Sequence, residues 1–267
     1  MAPPAWEREQ WIDDGSIRAE ATRAAGRAAG KGDAPSRRVD ERVEPGAPKR
    51  PRSTEVAPEV REALEDAVPA NRLDRYQERL AAAADALDRG RFGDARRLVQ
   101  PVLRELPEVA FAHELAGLAL YRMGQWKLAA KELEDARRLD GSVRHHPVLA
   151  DCYRALKRFA RVNELWLELR EASPDHSLMA EGRIVAAGAL ADQGDLAGAL
   201  EVMKKAMELP EKNRRKVHEY HLRQWYVVGD LFDRMGDVVK ARRWFRLVAD
   251  HDAEFADVTD RLRALGR

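Results

Sequence analysis

"GDVVKA", residues 236–241, is the last of five short strings that decide the fold. The other four are "GRFGDA" at 90–95, "GQWKLA" at 124–129, "KRFARV" at 157–162 and "GDLAGA" at 194–199. Each begins with Gly, or once with Lys157, and carries an apolar residue two places later and a small or branched residue three places after that. The strings start 34, 33, 37 and 42 residues apart, which indicates an internal repeat.

The pattern predicts a pair of antiparallel helices joined at the glycine. Glycine readily takes the left-handed conformation that ends a helix. The apolar residue then folds back over the first helix, and the small residue lets the two helices approach closely. Helical periodicity continues from Val56 to the end, and sustained strand alternation does not occur. We therefore expect an all-α domain over residues 56–267.

Composition narrows the class of protein. Apolar residues make up 45% and charged residues 35%, with a formal net charge of +1, so the whole chain has no strong attraction to nucleic acid or to anionic membranes. The single cysteine, Cys152, allows no intramolecular disulfide and no thiolate metal cluster, and we expect a small packed thiol. Neither a secretory signal nor a membrane span is recognisable, so we expect a cytoplasmic protein without membrane contact.

Helix pairs of about 34 residues with this pattern resemble the tetratricopeptide repeat, or TPR. "WYVVGDLF" (225–232) carries the family's first-helix pattern most fully, followed by Ala241 and Phe245 in the second helix. The resemblance covers residues 72–250 and implies an α-solenoid with repeats near 76–109, 110–142, 143–176, 180–213 and 222–253. Terminal segments must cover the exposed core of a solenoid. Val60, Leu64 and Val68 predict one such helix, and 254–265 predicts a C-terminal capping helix.

The resemblance also implies a binding groove. In TPR proteins the first helix of each pair lines a concave surface that holds a partner's extended peptide or helix. The corresponding positions are Phe111, Glu114, Leu118, Tyr121 and Arg122, then Arg144, Asp151 and Arg154, then Ile184 and Asp192, and finally Arg223, Tyr226, Asp230 and Arg234. Some of these side chains are expected to pack rather than to contact a ligand.

The chain ahead of the solenoid predicts two further segments. Residues 22–55 contain almost no large apolar side chain. Within them, residues 27–52 include eight Lys or Arg but only four Asp or Glu. Such a composition predicts a basic, disordered linker. Residues 1–21 contain Trp6, Trp11, Ile12 and Ile17, and they predict a docking motif for another protein or for the chain's own groove. A frayed terminus with incidental tryptophans is the alternative.

The spacer over 208–221, about eight residues too long, leaves the geometry between repeats four and five open. It holds Lys212, Arg214, Arg215 and Lys216, a basic patch that could bind phosphates or an acidic peptide. His145 and His146 are expected to cap or to be solvated at the start of the third repeat. His218 and His221 are three apart, which is half a metal site at most.

These observations predict a non-enzymatic adaptor that binds a partner protein in its groove. Carboxylates alternate with Arg and Lys along helical patterns, as on solvated faces, and no catalytic constellation stands out. We expect no cofactor and no metal site. The alternative is an RNA- or ribosome-associated protein that uses the linker and residues 212–216. Frequent Ala and Arg suggest a bacterial source.

Overall fold

Twelve α-helices and one 3-10 turn make up the described part of the chain, which a computed structural model gives for residues 58–208 and 217–266. The same residues contain no strand, so the predicted all-α class is confirmed. The helices are α1 Pro58–Ala67, α2 Ala70–Asp88, α3 Phe92–Glu105, α4 Ala110–Arg122, α5 Trp126–Asp140, α6 His146–Ala155, α7 Phe159–Ala172, α8 His176–Asp192, α9 Leu196–Met203, α10 Glu219–Arg234, α11 Val238–His251 and α12 Val258–Leu265.

Five helix pairs follow one another: α2 with α3, α4 with α5, α6 with α7, α8 with α9, and α10 with α11. Each first helix also packs on that of the next pair, as α4 does on α6 and α8 on α10. The small residues predicted at the helix crossings are all buried, namely Ala95, Ala129, Val162, Ala199 and Ala241.

The turns inside the pairs have the predicted left-handed backbone. The φ angles of the opening residue are +70° at Gly90, +71° at Gly124, +86° at Gly194 and +79° at Gly236. Lys157 takes the same conformation at +58°, although a side chain makes that region less favourable. At this turn the Arg158 N–H donates to the Tyr153 carbonyl at 2.8 Å, the helix-ending bond of a Schellman motif.

Two glycines of the first helices are required by close approach. A Cβ at Gly117 would lie 2.7 Å from Leu133 Cδ2, and one at Gly229 would lie 2.9 Å from Phe245 Cε1. Both distances are shorter than carbon contacts allow. The glycine within the first helix of these repeats therefore determines how closely the second helix packs against the first.

The two ends of the core are covered as the sequence predicts. Leu64 of α1 and Val68, which directly follows that helix, are buried against Leu73 and Tyr76 of α2. At the other end Val258 of α12 is fully buried, and Phe255, Leu262 and Leu265 pack partly against the same cluster. The C-terminal helix is shorter than the expected 254–265, because residues 252–257 form turns with Ala256 at φ +49°.

The fourth pair has different bounds from those predicted. α8 begins at His176, four residues before the expected start at 180, because the Asp175 side chain caps it by accepting the N–H groups of Ser177 and Leu178. α9 is only eight residues long and continues as the 3-10 turn Lys204–Met207. The Trp225 indole donates to the Ala206 carbonyl at 3.1 Å, which fixes the beginning of the long spacer against α10.

Candidate binding surface

The first helices α2, α4, α6, α8 and α10 together form one surface, here called the first-helix face. Residues of the predicted groove lie on these helices, except Arg144, which lies just ahead of α6. Neighbouring first helices are in contact. Side chains that occupy equivalent positions in successive pairs can therefore reach one another across the repeat boundary.

Four predicted groove residues form one connected chain of hydrogen bonds across three repeats. The Tyr121 hydroxyl of α4 donates to Asp151 Oδ2 of α6 at 2.7 Å. Arg154 Nε donates to Asp151 Oδ1 at 2.8 Å, and its Nη1 donates to Asp192 Oδ2 of α8 at 3.0 Å. We call this set, Tyr121, Asp151, Arg154 and Asp192, the central ladder. It links the second, third and fourth repeats through charge-assisted bonds, which are stronger than neutral ones.

Glu114 and Arg144, also predicted for the groove, meet at the boundary between the second and third repeats. Glu114 is only 2% exposed, and its Oε2 lies 3.2 Å from Arg144 Nη2 and 3.1 Å from His145 Nε2. Burial opposes ionisation, yet the charge and hydrogen bond of His145 and the charge of Arg144 outweigh it, so the pKa of Glu114 lies below its ordinary value. A carboxylate so enclosed serves the repeat boundary and offers little surface to a ligand.

The two histidines of the third repeat are buried rather than solvated, although His145 occupies the N-cap position of α6. His145 is buried beside Glu114, and His146 is buried with its Nε2 2.9 Å from Glu168 Oε2 of α7. Neither side chain is solvated. Nothing in the local sequence indicated this, because their carboxylate partners lie in different helices, 31 residues before His145 and 22 residues after His146.

The boundary between the fourth and fifth repeats is a buried ion pair. Arg223 Nη2 lies 3.0 Å from Glu181 Oε2, and the two side chains are 9% and 11% exposed. Beside them Arg183 Nη1 donates to the Gln224 side chain at 2.7 Å. Arg223 was predicted as a groove residue, whereas its partner Glu181 was not. An aligned repeat position would have found it, since Glu181 is the fourth-repeat equivalent of Arg144.

The C-terminal helix covers two more predicted groove residues. The Tyr226 hydroxyl donates to Asp257, and burial together with that carboxylate raises the pKa of Tyr226. Asp230 Oδ1 accepts from Arg261 Nη2 of α12 at 2.8 Å. Both side chains therefore hold the end cap in place.

Only some of the predicted groove residues reach solvent on the first-helix face. Leu118 is buried in the core, and Phe111 packs partly against the N-terminal cluster. Arg122 is exposed above the Phe92 ring, with its guanidinium carbon 4.7 Å from the ring centroid. Away from the two ends and the Glu114 boundary, the predicted residues that still reach solvent are the exposed Arg122, Asp192 and Arg234 and the half-buried Tyr121, Arg154 and Ile184.

Two predicted sites fall outside the described residues. The docking motif with Trp6, Trp11, Ile12 and Ile17 precedes Pro58, as does the linker over 22–55. The basic patch formed by Lys212, Arg214, Arg215 and Lys216 falls in the gap at 209–216.

Cys152 and His221 carry side chains of types used in catalysis or metal binding, but each is engaged in the structure of the fold. Cys152 is fully buried, and burial, with the charge of Asp151, raises the pKa of its thiol. His221 Nδ1 accepts the backbone N–H of His218 at 3.0 Å at the start of α10. That bond uses the lone pair with which His221 Nδ1 would bind a metal.

One cluster that sequence reasoning missed has metal-ligand types. His113, Glu132 and Asp135 offer ligand atoms within 4.8 Å of one another, in a cleft of about 410 Å³ between α3 and α5. Both ring nitrogens of His113 face acceptors, Glu132 Oε2 at 2.7 Å and the Pro107 carbonyl at 2.9 Å. A ring that donates from both nitrogens is protonated, and Lys131 already lies against both carboxylates. The arrangement is an ion-pair network.

A second cleft, of about 530 Å³, lies on the outer side of α11. We call it the α11 patch; it is lined by Val239, Arg242, Arg243, Trp244, Arg246, Leu247 and Asp250. Val239 is 80% exposed, the most exposed of the large apolar side chains in the described part of the chain. The sequence pattern gave no indication of this surface.

Comparisons with known proteins give the fold. No family model matches the chain, and no curated protein matches it. Among solved structures, a thermophilic TPR protein of Thermus thermophilus superposes with a TM-score of 0.54 at 16% identity, over 71% of this chain and 98% of that one. In residues 58–208 and 217–266, no helix is long and apolar enough to cross a membrane. The structure and this likeness together show that the chain has the fold of a TPR-type α-solenoid.

Proposed function

We propose that the protein is a non-enzymatic scaffold whose first-helix face binds a peptide or helix of a partner protein. The observation that carries this proposal is the central ladder. It holds Tyr121, Arg154 and Asp192 in fixed positions at an open surface. Side chains held by neighbours lose little freedom on binding, which favours affinity.

The side chains that reach solvent on the first-helix face favour a ligand that has both apolar and charged groups. Tyr121 and Ile184 supply apolar surface, Arg122 and Arg234 supply positive charge, and Asp192 supplies negative charge. An amphipathic helix or an extended peptide with charges of both signs suits such a face. Aromatic and arginine side chains are also the types that most often dominate binding energy at protein interfaces.

The test uses a displayed library of random peptides panned against the full chain. Enriched peptides are then measured by fluorescence anisotropy against a variant with Arg122→Glu and Asp192→Arg. Both side chains are exposed, so the fold is expected to persist, as far-UV circular dichroism would check. We expect the affinity to fall by about tenfold or more, since opposite charges at contact become like charges.

The matched control also reverses one charge of each sign, but on second helices, with Lys127→Glu on α5 and Glu171→Arg on α7, both exposed. Peptides whose affinity is unchanged by the first-helix variant but lowered by the control would contradict the proposal. The nucleic-acid alternative is tested in the same format. Labelled RNA that binds at low salt, and is released steeply as salt rises, would favour it instead.

A further inference from the structure

The α11 patch carries three arginines that have no ion-pair partner among the described residues. No carboxylate of the described residues forms an ion pair with Arg242, Arg243 or Arg246. On α5, by contrast, Lys131 and Arg138 both bond to Asp135, at 3.2 and 3.0 Å. Three arginines within two helical turns, left without counter-charges, create a local positive potential.

Apolar surface lies in the same place. Val239 and Val238 are 80% and 43% exposed at the start of α11, and Leu247 lies partly open two turns further on. Exposed apolar side chains that border unpaired charges mark a surface for a partner that offers both. The complementary partner is acidic and carries large apolar side chains.

The chain itself contains such a segment ahead of Pro58. Residues 6–20, "WEREQWIDDGSIRAE", hold five acidic against two basic side chains, together with Trp6, Trp11, Ile12 and Ile17. The lining of the α11 patch contains three arginines and one carboxylate, that of Asp250. Residues 6–20 and the α11 patch are therefore opposite in charge, and both contain apolar side chains.

We propose that residues 6–20 dock on the α11 patch of the same chain, with their tryptophans against Val239 and Leu247 and their carboxylates towards the three arginines. Residues 21–57 form a link of 37 residues, which can span at most roughly 125 Å. Five stacked helix pairs at interaxial distances of about 10 Å separate α1 from α11 by roughly 40–50 Å. The link is therefore long enough, and it makes the encounter intramolecular.

This contact is independent of ligand binding on the first-helix face. The α11 patch lies on a second helix, and none of its residues belongs to the central ladder. Either proposal can therefore fail while the other stands.

The experiment maps the contact by photo-crosslinking in the full chain. A single added cysteine, Ala5→Cys, carries a benzophenone beside Trp6, while the buried thiol of Cys152 stays unlabelled under native conditions. After irradiation, mass spectrometry identifies the peptides joined to residue 5. We expect the adducts to concentrate on residues 238–251.

Charge reversal makes the test specific. Arg242→Glu, Arg243→Glu and Arg246→Glu together should lower the α11 adducts by about tenfold, because attraction becomes repulsion. A further reversal of Glu7, Glu9, Asp13 and Asp14 to Arg should restore them. The matched control is Arg96→Glu, Arg97→Glu and Arg104→Glu on α3, an equal change of charge at the other end, which should leave the adducts unchanged.

Three results would overturn the proposal. The first is a set of adducts spread evenly over the surface, and the second is a set of α11 adducts that survives charge reversal. The third comes from a mixture of nitrogen-15-labelled and unlabelled protein. Adducts that join heavy to light chains would place the segment on a second copy instead of its own chain.

Discussion

The first-helix face and the outer side of α11 use charge in opposite ways. On the first-helix face, arginines such as Arg154 and Arg223 are bonded to carboxylates of the neighbouring repeat. On α11, Arg242, Arg243 and Arg246 have no such partner among the described residues. The difference teaches that arginines on the first-helix face hold successive repeats together, whereas those of the α11 patch have no ion-pair partner among the described residues.

The largest expected effect comes from removing one member of the buried Arg223–Glu181 ion pair. Arg223→Ala leaves the Glu181 carboxylate enclosed without its counter-charge, so we expect the free energy of unfolding to fall by about 3–5 kcal/mol. Arg243→Ala on α11 is the matched control, and it should change stability by less than about 0.5 kcal/mol. Urea denaturation followed by circular dichroism measures both. Equal losses of stability for Arg223→Ala and Arg243→Ala would contradict the difference between the first-helix face and the α11 patch.

The central ladder gives the next largest effect. Asp151→Ala removes the acceptor of both Tyr121 and Arg154, and we expect a loss of about 1–3 kcal/mol because the remaining groups are partly buried. Asp192→Ala, whose side chain is 41% exposed, should cost less than about 1 kcal/mol. The same urea titrations compare the two. A larger cost at Asp192 would mean that the ladder is held from its outer end.

A smaller effect is expected where the first-helix face is open. Arg122→Ala removes the guanidinium from above the Phe92 ring, an exposed contact worth about 0.5–1 kcal/mol. Arg122→Lys should recover part of that loss, since a lysine also attracts the ring face. Thermal melts of the three proteins provide the measurement. A loss of several kcal/mol would show that Arg122 is part of a repeat boundary.

The last prediction concerns the direction in which the contributions of His113 and His146 to stability change with pH. Burial lowers the pKa of His113, but the hydrogen bond to Glu132 and the other favourable contacts outweigh it, and the pKa is raised. Burial is the largest influence on His146, and its pKa is lowered in spite of Glu168. His113 therefore adds stability that is present below the ordinary histidine pKa, near 6.5, and is lost as pH rises through the higher folded value. His146 behaves oppositely, and its contribution is lost as pH falls below about 6.5.

Stability measured between about pH 5 and 8 separates the two. The difference between the wild type and His113→Gln should grow towards acid pH, whereas that for His146→Gln should shrink. Slopes of the same sign would contradict the different surroundings of the two rings.

Repeat spacing and turn chemistry predicted the fold down to single backbone positions. The left-handed turns at the four glycines and the buried small residues follow from contacts within one repeat, whereas the left-handed backbone at Lys157, which departs from the glycine pattern, was not predicted. The predicted groove residues, except Arg144, lie on the first helices for the same reason. Their partners were not foreseen, because periodicity shows which face a side chain occupies but not which charge of the next repeat it meets.

The α11 patch was missed for a related reason. Along the sequence, Arg242, Arg243 and Arg246 resemble any charged helix surface. Only the three-dimensional arrangement shows that they form no ion pair with a carboxylate of the described residues. Glu114 and His145 illustrate the converse, since two polar residues that the sequence does not distinguish from surface residues are buried, with Glu114 Oε2 3.1 Å from His145 Nε2.

The buried thiol of Cys152 gives the molecule an internal reporter of its own opening. The residue lies in the third of five helix pairs, away from both ends of the stack. Repeat proteins open most readily at their ends, and such fraying leaves a central thiol protected. The rate at which a maleimide labels Cys152 therefore measures how often the middle of the solenoid separates.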